Sequence, residues 1–150
     1  YICYDKFMEI ISQSVQETQK IGRLLGQELL KTKPRDQALV IGLEGDLGGG
    51  KTTFVQGLAD GLGIKERIVS PTFVLMKRFG NFYHIDCYRL NKPQELLELD
   101  FEEILKNPKN LIAIEWLEKV KEILPKDILT IKFQWLDENK RKLIICQNLS

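Results

Sequence analysis

A short apolar run, a glycine-rich turn and an amphipathic segment follow one another at residues 38–62, and this succession most constrains the fold. Residues 38–43 are apolar between polar flanks, which is typical of a strand buried on both faces. Residues 52–62 carry their apolar side chains on one helical face, and Gly63 is suited to end that helix. The order of strand, turn and helix predicts a layered α/β domain.

The remaining segments fit the same architecture. Ser14 and Glu17 form a capping-box pattern that predicts a helix reaching Lys31. Gly80-Asn81 joins two aromatic-rich segments and predicts a β-hairpin. The strands of this hairpin span 73–79 and 82–88. The other predicted elements are a helix from 91 with Pro93 in its first turn, a buried strand over 111–114, a short helix over 118–124 and a final strand pair over 128–136 and 142–146. Together they predict a mostly parallel central sheet with antiparallel hairpin additions and flanking helices.

Composition narrows the class of protein. The chain has 150 residues, which suits one domain spanning 1–150. Its formal charge of +1 disfavours a broad basic face that would grip nucleic acid. No apolar run approaches the roughly 18 residues that a membrane span needs. The odd number and wide spacing of Cys3, Cys87 and Cys146, without a signal-peptide pattern, predict a cytoplasmic protein with neither a disulfide framework nor a zinc site.

Residues 45–52, Gly-Asp-Leu-Gly-Gly-Gly-Lys-Thr, match the phosphate-binding pattern G-x-x-x-x-G-K-[ST] at every fixed position. Glycines let backbone amides approach phosphate oxygens at the positive end of a helix. Lys51 is placed to reach the β- and γ-phosphates, and the Thr52 hydroxyl is a hard oxygen ligand for Mg²⁺. The motif and its strand–helix context therefore predict a P-loop nucleotide site.

A P-loop needs a second acidic group at the end of a neighbouring strand. Glu115 directly follows the apolar residues 111–114 and is predicted to fill this place, although aspartate is more usual there. The next residue, Trp116, fits core packing at least as well as contact with a nucleotide base.

Three further segments carry open alternatives. Period-two alternation places His84 and Asp86 on one strand face. Asp86 is either an acid near a bound metal or a member of a solvated face. His84 is the one histidine in the sequence, so a hydrogen-bonded structural role is the default interpretation for it. Thr72 fits either a γ-phosphate sensor or an ordinary residue at the start of a strand. The residues by themselves favour the second interpretation. Residues 140–142, Lys-Arg-Lys, fit a solvated hairpin tip better than a nucleic-acid or protein contact.

The motifs in combination resemble the bacterial TsaE (YjeE) P-loop ATPases of tRNA threonylcarbamoyladenosine synthesis. The matching stretches are residues 45–54, 70–73, 84–90 and 114–118, and the resemblance covers roughly 14–136. Residues 14–22 also resemble the opening helix of that family, where an early segment lies near the nucleotide. Gly49 and Cys87 stand where the family commonly has alanine and a bulky apolar residue, and neither change removes a functional group.

The resemblance implies a cytoplasmic protein that binds ATP or ADP with Mg²⁺, hydrolyses ATP slowly alone and acts with the TsaB and TsaD proteins. It implies no membrane and only indirect contact with tRNA. The implied catalytic residues are Lys51, Thr72, Asp86 and Glu115. The implied magnesium ligands are Thr52, Asp86 and Glu115. The implied nucleotide contacts are Asp46, Leu47, Gly48, Gly49, Gly50, Lys51, Thr52, Thr53 and Trp116.

Three other functions are compatible with a P-loop. A small-molecule kinase fits the size of the chain, but no arginine-rich lid segment is found. A GTP-binding switch would need N-K-x-D, and at residues 91–94 Gln94 replaces the carboxylate that reads guanine. In a third alternative, nucleotide only fixes the shape of a protein interface.

Overall fold

The computed structural model describes residues 6–33, 35–46, 48, 50–69 and 75–147. The strands are β1 (Lys6–Ser12), β2 (Leu39–Gly45), β3 (Met76–Phe79), β4 (Phe82–Asp86), β5 (Leu111–Glu115), β6 (Leu129–Trp135) and β7 (Arg141–Gln147). The helices are α1 (Val15–Leu29), α2 (Lys51–Gly61), α3 (Gln94–Leu97) and α4 (Phe101–Lys106), with 3₁₀ turns at Leu117–Lys119 and Lys121–Ile123. In the described part of the chain, no helix combines the length and the apolar character needed to cross a membrane.

All seven strands form one sheet in the order β1-β7-β6-β2-β5-β4-β3. The centre is parallel, because β2 pairs with both β5 and β6 and β5 pairs with β4 in the same direction. Both margins are antiparallel, through β3 against β4 on one side and β7 against β6 and β1 on the other. This confirms the predicted mostly parallel sheet with hairpin additions.

The sheet is covered on both faces, which explains why its central strands β2, β4 and β5 are mostly apolar. On one face, α1 and α2 pack on a core that includes Phe54, Leu58 and the β2 residue Ile41. On the other face, α3, α4 and the first 3₁₀ turn contribute Leu96, Phe101 and Leu117 to a second core. The polar edge between these layers is where β2 leads into the glycine-rich loop.

Helix α1 begins as its sequence predicts. The Ser14 hydroxyl accepts a hydrogen bond from the Glu17 amide at 3.1 Å, and the Glu17 carboxylate accepts one from the Gln13 amide at 2.8 Å. The Ser12 and Thr18 hydroxyls lie 2.7 Å apart, which ties the end of β1 to the first turn of α1. The start of this helix is therefore fixed at the edge of the sheet that carries the glycine-rich loop.

Glycines bring α1 and α2 unusually close together. Gly22 and Gly26 of α1 face Gly57 and Gly61 of α2, with the same spacing on both helices. A Cβ atom at Gly57 would lie 2.0 Å from the Gln19 carbonyl oxygen, and one at Gly61 would lie 2.2 Å from that of Arg23. Because backbone meets backbone, the helix that follows the glycine-rich loop is held firmly against α1.

Two local predictions are wrong, and one strand was not predicted. The predicted single helix after residue 91 is two short helices, since Asp100 adopts a left-handed conformation with φ of 58° between them, and Pro93 caps the first helix instead of lying in its first turn. The predicted helix over 118–124 is a pair of 3₁₀ turns. Strand β1 was not predicted, because its pairing with β7 depends on a partner at the far end of the chain.

We expect Gly57→Ala to destabilise the protein. The added methyl group would overlap the Gln19 backbone, which cannot rotate away as a side chain would. Overpacking of this kind costs about 1–3 kcal/mol, so the Tm should fall by roughly 3–9 °C for a domain of this size. Leu24→Ala is the matched control, because Leu24 lies on α1 but is 52% exposed. Equal Tm values for the two variants would contradict the close-packed interface.

Candidate active site

Three parallel strands end at the same edge of the sheet and bring the predicted acids to the glycine-rich loop. Strand β2 runs into the loop at Gly45. In the strand register, Asp86 of β4 lies beside Glu115 of β5, and Glu115 lies beside Leu43 of β2. Residues paired in this way point to one face of the sheet, which here is the face covered by α2.

The loop backbone depends on glycine where the chain turns most sharply. Gly45, Gly48 and Gly50 have φ values of 137°, 77° and 98°, which side chains with a Cβ rarely adopt. Gly50 is the N-cap of α2, so the first-turn amides of that helix face the loop. The predicted contacts Leu47 and Gly49 lie outside the described residues.

Lys51 lies between the loop and the acids. Its ammonium donates hydrogen bonds to the carbonyl oxygens of Gly45 and Asp46, the latter at 2.9 Å, and the residue is only 5% exposed. Burial lowers the pKa of Lys51 from its usual value, while the nearby Glu115 and other carboxylates oppose that shift. The cation is thus buried at the point where the loop turns into α2.

The Glu115 carboxylate is shared between two side chains. Its Oε1 accepts a hydrogen bond from the Thr52 hydroxyl at 2.9 Å, and its Oε2 lies 2.5 Å from His84 Nε2. Glu115 is 3% exposed. Thr52 and Glu115, both predicted from the sequence as magnesium ligands, are therefore joined by a direct hydrogen bond.

Asp86 is buried beside this group. It is 7% exposed, and its Oδ1 accepts a hydrogen bond from the Tyr88 amide at 3.0 Å. Every residue of β4 is buried, so the interpretation of this strand face as solvated is wrong. It failed because α2 covers the polar face. Thr72, the proposed switch residue, lies outside the described residues.

Trp116 both packs and faces the site. Its ring lies 5.0 Å from that of Tyr88, and the Lys51 ammonium is 4.2 Å from the centre of the indole ring. Its backbone is left-handed, with φ of 61°, which is a strained conformation for a bulky residue. The packing and functional interpretations of Trp116 are therefore compatible.

A cavity of about 400 Å³ lies over the loop and contains residues that the sequence argument did not assign. A volume of this size suits a nucleotide-sized ligand. Ser14, Val15 and Thr18 line it from α1, as the resemblance to the opening helix suggested. Its remaining lining is Gly48, Gly50, Lys51, Thr52, Thr53, Asp86, Tyr88, Glu115, Trp116, Glu138, Asn139 and Arg141.

The predicted solvated hairpin tip is confirmed for Lys140, which is exposed, whereas Arg141 and Lys142 begin β7 and are only partly exposed. The Arg141 guanidinium donates hydrogen bonds to the Gly48 carbonyl at 3.0 and 3.2 Å and to the Asp137 carbonyl at 2.5 Å. It therefore joins the β6–β7 turn to the glycine-rich loop. The position of Arg141 at the start of the last strand is the one sequence signal for this contact, because the lysines on either side make Arg141 resemble part of a solvated basic cluster.

The donors at the loop suit a small hard cation that is completed by phosphate oxygens and water. Thr52 and Glu115 offer oxygen ligands, and Asp86 lies in the adjacent register position. Among the described residues, no cluster of three histidine, cysteine or acidic side chains is poised to hold a metal ion alone. Proteins commonly bind Mg²⁺ through one or two carboxylates together with substrate phosphates, and the oxygen donors of Thr52, Glu115 and Asp86 are of that kind.

Comparison with known proteins identifies the family. The family model for the threonylcarbamoyl adenosine biosynthesis protein TsaE matches residues 12–143. The chain belongs to the TsaE family. A TsaE protein of Rickettsia felis is 42% identical over 146 residues, which cover 94% of this chain and 81% of the relative. A TsaE protein of Bacillus subtilis is 34% identical over 149 residues, covering 90% and 89%. Both are named tRNA threonylcarbamoyladenosine biosynthesis proteins.

A solved structure supports the same assignment. The crystal structure of YdiB from Bacillus subtilis superposes with a TM-score of 0.77 at 30% sequence identity. The match covers 96% of this chain and 87% of YdiB. The predicted P-loop α/β fold is thereby confirmed for this TsaE-family chain.

We expect the thiol of Cys87, next to Asp86, to be unreactive in the folded TsaE-family protein. Burial raises the pKa of this thiol to about 12, with the Asp86 charge as a second cause. At pH 8 only about one such thiol in ten thousand is ionised, and the thiolate is the reactive form.

The check uses Cys3→Ser/Cys146→Ser protein, in which Cys87 is the remaining thiol. Ellman's reagent should react slowly with the native protein and promptly in guanidinium. Rapid stoichiometric reaction without denaturant would contradict the burial of Cys87.

Proposed function

We propose that this chain binds ATP and ADP with Mg²⁺ and hydrolyses ATP slowly by itself, in support of tRNA threonylcarbamoyladenosine biosynthesis. The role in that biosynthesis follows from membership of the TsaE family. The observation that carries the proposed activity is the convergence of Lys51, Thr52, Asp86 and Glu115 at one cavity above the glycine-rich loop.

The loop and Lys51 bind the phosphates in this proposal. The first-turn amides of α2 and the buried ammonium provide positive charge on the same side of the cavity. Glycines at the positive-φ positions keep the backbone open to phosphate oxygens. A polyphosphate would neutralise the lysine charge that burial now disfavours.

Thr52, Glu115 and Asp86 would hold the metal, and one of the two acids would orient the attacking water. When bound, Mg²⁺ would neutralise charge on the β- and γ-phosphate oxygens. Asp86 and Glu115 lie on neighbouring strands at the same register position, so either carboxylate can accept a hydrogen bond from a water in the cavity. Thr72 is proposed as the γ-phosphate sensor, on the family resemblance alone.

The nucleotide contacts of this proposal are the loop residues from Asp46 to Thr53 together with Trp116. The Trp116 ring is in contact with the Lys51 ammonium, and Trp116 lines the cavity together with Tyr88. Arg141 and the first turn of α1 add two further walls. A bound nucleotide would thus contact segments from both ends of the chain.

The family assignment also supports proposals about partners and location. We infer that the protein acts as a single domain with the TsaB and TsaD proteins in the cytoplasm, where tRNA is modified. Slow turnover alone fits a site that a partner protein completes or gates. The formal charge of +1 disfavours a broad basic surface, so tRNA contact is proposed to be indirect.

We expect Lys51→Ala to lose detectable ATP binding, because the variant lacks the cation buried in the phosphate site. Isothermal titration with ATP and Mg²⁺ measures this loss. Lys20→Ala is the control, since Lys20 is exposed on α1 and does not line the cavity. Tight ATP binding by the Lys51 variant would refute the assigned role of the loop.

We expect Asp86→Asn to bind ATP with nearly normal affinity but to hydrolyse it about 100-fold more slowly, the typical size of a lost general base or water-orienting group. Phosphate release under single-turnover conditions separates hydrolysis from binding. The exposed Asp127→Asn is the matched control. If Asp86→Asn turns over ATP at the wild-type rate, the water-orienting role belongs to another residue.

A further inference from the structure

We propose that His84 is a positioning residue that fixes the Glu115 carboxylate in the orientation needed for the metal site. The inference rests on the proposed function and goes further, since it assigns a role to a residue outside the phosphate, metal and nucleotide contacts. It is carried by the hydrogen bonds and burial of three side chains: His84, Glu115 and Thr52.

The His84 ring is fully buried and forms a hydrogen bond with a single side-chain atom. Its exposure is 0%, and its Nε2 lies 2.5 Å from Glu115 Oε2. A carboxylate oxygen accepts hydrogen bonds, so Nε2 carries the proton and donates it. Among the described residues, the other ring nitrogen, Nδ1, has no hydrogen-bond partner. A histidine kept only for packing would be expected to satisfy both nitrogens or to be replaced by an apolar residue.

The Glu115 backbone and side chain are fixed by different means. The Glu115 carbonyl accepts a hydrogen bond from the Cys87 amide at 3.1 Å, and the strand register holds its Cα position. The terminal torsion of a glutamate side chain is broad, so backbone pairing does not set the direction of the carboxylate. The bond from His84 sets it on one side, and the Thr52 hydroxyl at 2.9 Å meets the other oxygen.

The strand register makes this arrangement possible. His84 lies opposite Ala113 on β5, and Glu115 is two residues further along the same face. The imidazole therefore reaches across to β5 and along that strand to meet Glu115 Oε2.

The functional consequence concerns metal affinity. With Oε2 held by His84, Oε1 stays directed at Thr52, so the two proposed ligands are arranged before the ion arrives. Groups that orient metal ligands in this way typically change metal affinity or activity by roughly 10- to 100-fold when they are removed. Among the described residues, no hydrogen bond joins the His84 side chain to the phosphate-binding loop, so nucleotide affinity without metal should be preserved.

The experiment compares full-length His84→Leu, His84→Gln and His84→Asn with the wild type. Leucine removes the donor, glutamine places an N–H near the position of Nε2, and asparagine is an amide too short to reach Glu115. ATP affinity is titrated in EDTA and at increasing Mg²⁺ concentration, and the apparent Mg²⁺ affinity is extracted. Thermal unfolding of each protein without ligand is measured in parallel.

We expect His84→Leu and His84→Asn to weaken the apparent Mg²⁺ affinity at least tenfold with ATP affinity in EDTA unchanged, and His84→Gln to restore most of it. In a Glu115→Gln background, His84→Leu should cause no further loss, because His84 acts through that carboxylate. If the leucine variant does not fold, the glutamine and asparagine pair decides the question, since both carry an amide.

The contrary outcomes are distinct from failure of the proposed function. Wild-type Mg²⁺ affinity in His84→Leu, or equal losses in the glutamine and asparagine variants, would overturn the positioning role alone. If wild-type ATP binding shows no dependence on Mg²⁺, the proposed metal site fails and the inference about His84 fails with it. Losses that follow only the Tm of each variant would assign His84 to packing.

Discussion

The hydrogen bond between the Thr52 hydroxyl and the Glu115 carboxylate is the contact on which the site depends. It joins the first turn of α2 to the end of β5, and therefore joins the glycine-rich loop to the centre of the parallel sheet. A buried carboxylate is costly unless its oxygens are hydrogen-bonded. Glu115 meets this condition through Thr52 and His84, so the acid is retained inside the fold at a place where an ion can reach it.

The charges around this bond are balanced unevenly. Lys51 is the buried cation, while Asp46, Asp86, Glu115 and Glu118 all act on it electrostatically. Burial also raises the pKa of the Glu118 carboxyl above its usual value. A site with more acids than buried cations favours an additional cation, whereas the loop amides favour an anion. A metal ion bound together with a polyphosphate satisfies both requirements at once.

The sequence predicted those parts of the structure that follow from local chemistry. The motif from Gly45 to Thr52, the cap at Ser14 and the turn at Gly80 each specify their own conformation, and each lies where it was predicted. Contacts made by tertiary packing were harder to predict. The burial of Asp86 depends on how the rest of the chain packs around the end of β4, and the bonds of Arg141 to Gly48 depend on how the last strand pair meets the loop. Spacing along the chain carries no signal for either.

The walls of the cavity come from widely separated parts of the fold. One wall comes from the start of α1, which the glycine contacts with α2 hold in place. A second wall includes Arg141 from the antiparallel margin of the sheet, and Trp116 comes from the end of the central strand β5. Since β7 pairs with both β6 and β1, the margin that carries Arg141 is continuous with the strand that leads into α1. The antiparallel additions therefore do more than extend the sheet, because they bring both ends of the chain to the cavity above the glycine-rich loop.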